Sequence, residues 1–339
     1  MISPNPWEYT ELEYPGQLAY LTVSCTTRCN FACGYCSKKD YPVADLDLML
    51  LRSALAESLP LGLRKVELTG GEAMMYPYFW DVVSYLRENG VMVQMVTNGS
   101  LIDRESARRL LDARINVAVS LSTLDPEKFT ELSGGPGRHS EIVAALGHLT
   151  AAGYRADDYP MVAVHALGSR DNFPELEELR RFAGGMGCGF VLNRAIPVGG
   201  LQADNVPSPE ELRGFLDREH GGRPAALPFS GDTPCNRLKA GCYIGSDGKV
   251  RPCSSIDIEV GDLRIESITE IWRGSAILEQ CRTLEHRLEG SCGICPERSR
   301  CYGCRAVAYA IWGSLTASDP GCFRFDQEIP FKSQRGGTR

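Results

Sequence analysis

The stretch "LAYLTVSCTTRCNFACGYC", residues 18–36, runs from an uncharged, partly β-branched segment straight into three cysteines, Cys29, Cys33 and Cys36, spaced C-x3-C-x2-C. Its first part predicts a buried strand that ends in a polar loop. Five further runs of the same kind follow: "KVELT" (65–69), "VMVQMVT" (91–97), "INVAVS" (115–120), "MVAVHA" (161–166) and "CGFVLNR" (188–194). Helical patterns lie between them near residues 46–58, 78–88, 103–113, 141–152 and 173–183, and a sixth near 209–219 follows the last strand. Apolar strands alternating with helices predict a parallel sheet covered by helices. Six units are too few for a closed eight-stranded barrel. The expected fold is therefore α/β, a partial (β/α)6 TIM-like barrel over residues 15–222, with the functional site at the C-terminal strand ends. A doubly wound flat sheet is the structural alternative.

Around residues 220–235 the rhythm stops and Gly, Pro and Ser accumulate, which predicts a linker. Residues 228–330 then form a second, cysteine-rich domain. It contains a β-hairpin, "YIGSDGKVRPC", turning at Asp247 and Gly248, and a short helix near 267–282. The net charge of -7 argues against nucleic acid as a partner. No apolar run approaches the roughly 18 residues a membrane span needs, and the N-terminus has no signal-peptide pattern. A cytoplasmic protein with no membrane partner is expected. Fourteen cysteines in such a protein point to metal binding or catalysis rather than to disulfides.

Three thiolates can hold three irons of a cubane 4Fe-4S cluster and leave the fourth iron open to another ligand. A structural zinc site would need a fourth ligand, which Cys25 could supply. With Tyr35 at the aromatic position of C-x3-C-x-aromatic-C, the loop resembles the signature of the radical S-adenosylmethionine (radical SAM) superfamily. The resemblance implies that the open iron binds SAM, whose reductive cleavage releases a 5'-deoxyadenosyl radical. It also implies roles for other strand ends. Gly70, Gly71 and Glu72 in "LTGGEAMMYP" match the family's GGE motif, which binds the SAM ammonium, although Ala73 stands where Pro is usual. Asn98 in "VTNG" suits the ribose, Ser120 would contact SAM, and Arg138 would pair with its carboxylate. Ser122 stands where many relatives have Asp.

In the last third, Cys235-x12-Gly248-x4-Cys253, then Cys292-x2-Cys295-x5-Cys301-x2-Cys304, then Cys322, resemble a SPASM domain, one residue short before Cys304. The resemblance implies two auxiliary 4Fe-4S clusters, hence three in all. Cys235, Cys253 and Cys304 would hold the nearer one, and Cys292, Cys295, Cys301 and Cys322 the farther one. Cys242 is the expected eighth thiol; without it the nearer cluster would keep an open iron. A pair of zinc knuckles in a non-catalytic scaffold is the alternative.

Cys25, Cys188 and Cys281 are left over. Cys281 is kept as a hydrogen-atom donor candidate, and Cys188 as a core residue. His165, Asn193 and Arg194, near the ends of strands five and six, are expected to face substrate. The 17 residues before the first strand leave no room for the leader-binding element common in peptide-modifying relatives. The expected activity is thus hydrogen abstraction from a small polar molecule, a sugar, aminocyclitol or nucleoside of natural-product biosynthesis, giving dehydrogenation or epimerisation. An oxidoreductase or isomerase fed by a flavodoxin- or ferredoxin-type electron donor follows. Maturation of a ribosomal peptide, by crosslinking or epimerisation, is the alternative.

Overall fold

The computed structural model describes residues 16–39, 41–134, 137–220, 237–299 and 301–322. Six strands, β1 (Tyr20–Thr26), β2 (Lys65–Gly70), β3 (Met92–Thr97), β4 (Ile115–Ser120), β5 (Val162–Gly168) and β6 (Gly189–Arg194), pair in sequence order and are all parallel. They curve into a partial barrel. Its helices are α1 (Leu48–Ser58), α2 (Phe79–Glu88), α3 (Arg104–Asp112), α4 (Pro126–Ser133), α5 (Arg138–Ala152), α6 (Leu176–Gly185) and α7 (Pro209–His220).

Local chemistry explains these elements. Asp47 caps α1 by accepting from Met49 N and Leu50 N, and Leu51, Ala54, Leu55 and Ser58 recur on its buried face. Asp103 and Ser106 close α3 with a reciprocal capping box. Helix α4 escapes the sequence reading because it is short. Its start is nevertheless written in the sequence, with Asp125 as cap and Pro126 in the first turn.

The cysteine-rich third begins with α8 (Arg237–Ala240) and the strands β7 (Gly241–Ile244), β8 (Lys249–Arg251) and β9 (Gly261–Asp262). β7 pairs parallel to β1, from Tyr20 opposite Gly241 to Val23 opposite Ile244, so the hairpin extends the barrel's own sheet to nine strands. The turn is where the sequence placed it, with Gly248 at φ +76. The helix expected over 267–282 is broken into α9 (Ile268–Gly274) and α10 (Ala276–Arg282), because Ser275 is extended and caps the second segment at Leu278 N. The short α11 (Gly290–Ile294) and α12 (Arg305–Trp312) complete the chain. The linker expected at 220–235 lies, beyond His220, outside the described residues. Among the described residues no helix is long and apolar enough to cross a membrane.

Candidate functional site

The loop after β1 is clamped by α4 and by the end of β2. Ala32 N and Gly34 N donate to Ser133 O and Leu132 O of α4, and Gly71 N donates to Thr26 O. Glycines permit the closest approaches: a Cβ on Gly71 would lie 2.2 Å from Arg28 O, and one on Gly200 would lie 1.8 Å from Gly34 O. Within the loop, Phe31 N donates to Cys29 Sγ at 3.4 Å, Lys38 N to Cys36 Sγ at 3.3 Å, and Asn98 Nδ2 to Cys29 Sγ at 3.7 Å. All three cysteines are free thiols, and burial pushes Cys33 up to about 11. Sulfurs gathered on one loop, with N–H groups turned toward two of them, are a donor set that fits an iron-sulfur cluster. The bound metal itself would draw out the thiolate form.

Cys29, Cys33 and Cys36 line a cavity of about 970 Å³ at the C-terminal strand ends. Tyr35, Gly70, Gly71, Asn98 and Ser120 line it too, as do His165, Asn193 and Arg194. Tyr35 hydrogen-bonds Ser122. The structure thus brings most of the expected residues together, with three differences.

The first concerns Glu72, which is fully buried and does not border the cavity. Its carboxylate accepts from Asn98 N at 2.7 Å, Thr97 Oγ1 at 2.8 Å and Met74 N at 3.1 Å, so it fastens β2 to β3 rather than facing an ammonium. Arg138 also lies outside the cavity lining; it pairs with Glu141 and sits 5.1 Å from the Phe31 ring. Arg194 reaches the cavity wall, but its guanidinium is buried in an ion pair with Asp319. Its charge is met by protein, not left for a ligand.

Cys253, Cys301, Cys304 and Cys322 line the same cavity from the other side. Cys292 and Cys295 are buried behind it, and Cys235 lies outside the described residues. Cys242 is a correction. Along β7, Tyr243 faces the cavity, so strand alternation turns Cys242 to the opposite face, where it packs at 3% exposure in the main hydrophobic core. We expect Cys242→Ala to leave iron per chain unchanged and to cost about 1–2 kcal/mol of stability; iron analysis beside thermal denaturation checks this. Cys281 is the second correction. It is fully buried with Leu284, Ile256 and Tyr302, and burial pushes its thiol up to about 12. A thiol sealed in an apolar cluster cannot approach a substrate radical. Cys188 is buried in the core, as expected.

The sequence reading missed the cavity floor. Thr22, Glu67 and Gln94 line it, and Gln94 Nε2 donates to Glu67 Oε2 at 2.8 Å. Above them Asn193 Nδ2 meets His165 Nε2 at 2.5 Å. Polar residues at inward positions of otherwise apolar strands, as in "KVELT" and "VMVQMVT", were the available signal.

The profile of the radical SAM superfamily matches residues 23–183, and that of the SPASM iron-sulfur cluster-binding domain matches residues 235–296. A GTP 3',8-cyclase of Mesorhizobium japonicum is 31% identical over 69% of this chain and 72% of its own length. The chain belongs to the radical SAM superfamily. Other radical SAM relatives match along more of their length. The AdoMet-dependent heme synthase of Methanosarcina barkeri is 25% identical, covering 88% of this chain and 94% of that protein. The PqqA peptide cyclase of Methylocella silvestris is 25% identical, covering 89% and 86%. The radical SAM fold also matches that of Streptococcus suis SuiB bound to its precursor peptide SuiA, with a TM-score of 0.72 at 16% identity over 91% of this chain and 76% of SuiB.

Proposed function

We propose that this radical SAM enzyme is a peptide maturase. The observation that carries the reading is the near full-length likeness to a peptide cyclase, 25% identical over 89% of this chain and 86% of that protein. The cavity that runs from the three-cysteine loop to Cys253 and Cys322 would hold SAM beside the peptide. The expectation of a small polar substrate becomes the second reading, favoured by the polar floor of Glu67, Gln94, His165 and Asn193.

In this reading the units 15–222 and 228–330 share one cavity. Cys29, Cys33 and Cys36 hold the cluster that takes SAM, and together these groups supply a 5'-deoxyadenosyl radical. The backbone of Gly70 and Gly71, with Tyr35, Asn98 and Ser120, orients SAM. Glu72 keeps those strand ends in register. His165 and Asn193 face the substrate, and Cys253, Cys301, Cys304 and Cys322 belong to two auxiliary clusters. A flavodoxin- or ferredoxin-type protein supplies electrons.

The test incubates the anaerobically reconstituted enzyme with SAM, a reductant and short peptides encoded beside it. A peptide lighter by two hydrogens, or epimerised at one residue, supports maturation. Intact peptides together with consumption of a sugar or nucleoside would transfer the case to the second reading.

A further inference from the structure

Strand β6 ends in Arg194, whose side chain crosses from the barrel to the cysteine-rich third. Its Nη1 donates to Gly321 O at 2.9 Å, and its Nη2 donates to the Asp319 carboxylate at 2.9 and 2.7 Å. The side chain of Cys304 lies close enough to interact with its charge. Asp319 is the hub: its Oδ2 accepts from Cys304 N at 2.7 Å, and its own N donates to Cys292 Sγ at 3.4 Å. Beside it lies Arg305, 1% exposed, with Nη1 donating to Leu315 O and Ala317 O and Nη2 lying 3.7 Å from Cys292 Sγ. Arg305 Nε is buried with no partner among the described residues.

The space for these groups is built in. A Cβ on Gly303 would lie 2.8 Å from Arg305 Nη2, and one on Gly321 would lie 2.4 Å from Arg194 Nη1. Two guanidiniums and one carboxylate are therefore buried together. The surplus positive charge lies against the sulfurs of Cys292 and Cys304. Burying such a charge is costly unless negative charge meets it, and thiolates carrying a cluster would supply that.

We propose that Arg194 and Arg305 are positioning residues that hold positive charge against the Cys304 and Cys292 sulfurs and so raise the reduction potentials of both auxiliary clusters, with Asp319 joining the two. Positive charge and N–H donors near cluster sulfur favour the more negative, reduced form. The proposal rests on the reading above that these cysteines hold iron-sulfur clusters.

The test uses the full chain, reconstituted anaerobically, with Cys29, Cys33 and Cys36 replaced by Ala so that only auxiliary iron remains. Midpoint potentials are measured by spectroscopic redox titration, with iron counted in parallel. Arg305→Met and Arg194→Met are expected to keep their iron and titrate at lower potential, and Arg305→Lys to recover most of the shift. Asp319→Asn is expected to move the potential the opposite way, upward. Full iron with unmoved midpoints, or shifts of one sign in all variants, would overturn the proposal. If the Met variants lose iron, the Lys and Asn variants decide by the same signs. A parent without iron would instead remove the cluster reading itself, and the proposal with it.

Discussion

Replacing Cys33 with alanine is expected to abolish formation of 5'-deoxyadenosine from SAM under reducing conditions and to remove about four irons per chain, the content of one cubane cluster. The loop backbone carries the three sulfurs, and N–H groups from Phe31, Lys38 and Asn98 reach two of them, those of Cys29 and Cys36. With two sulfurs left, Cys25 is the nearest thiol in sequence, and it is fully buried within β1 with its thiol pushed up to about 12. Circular dichroism should stay unchanged, since the loop's clamps to α4 and β2 use backbone groups. Anaerobic iron analysis and chromatography of the nucleoside product decide the matter. Iron and product both retained would show that the loop is not the site of SAM cleavage.

An alanine at Gly200 is expected to do nearly as much damage without touching a sulfur. Its Cβ would lie 1.8 Å from Gly34 O and 3.1 Å from Tyr35 Cα, so the cysteine loop must move, and the segment around 199–200 with it. Gly200 N also donates to Cys36 O, a bond that such a shift would break. Misplacement of about 1 Å near a reacting centre costs on the order of a hundredfold in rate. We therefore expect SAM cleavage to fall by about that factor while the melting temperature changes little. Gly184→Ala, with nothing within 4 Å of the new Cβ, is the control and should cleave SAM at the normal rate. Equal rates in both variants would mean that the loop tolerates displacement.

The barrel was legible because its strands are short, apolar and separated by amphipathic helices, a pattern that depends only on near neighbours. The cavity lining was legible where it lies at strand ends, as with Gly70, Asn98 and Ser120. What could not be read depends on partners distant in sequence. Glu72 turns inward because Thr97 and Asn98, on the next strand, fill its oxygens. The Arg194 guanidinium is held in an ion pair because Asp319, 125 residues later, meets its charge. Cys242 could be misjudged because its facing follows from β7 pairing with β1, and no local pattern announces a parallel pair across so long a separation.

That pairing has a consequence for how the enzyme keeps its redox centres in relation. β1 runs into the cysteine loop at one end and carries β7 along its flank, so both halves of the cavity are measured off one ruler. A slip of one residue would shift the hairpin by about 3.3 Å and exchange Tyr243 for Cys242 at the cavity wall. The two halves cannot drift apart independently. Loops between the two halves can change while the β1–β7 backbone pairing keeps the cysteine loop and the hairpin at a fixed spacing.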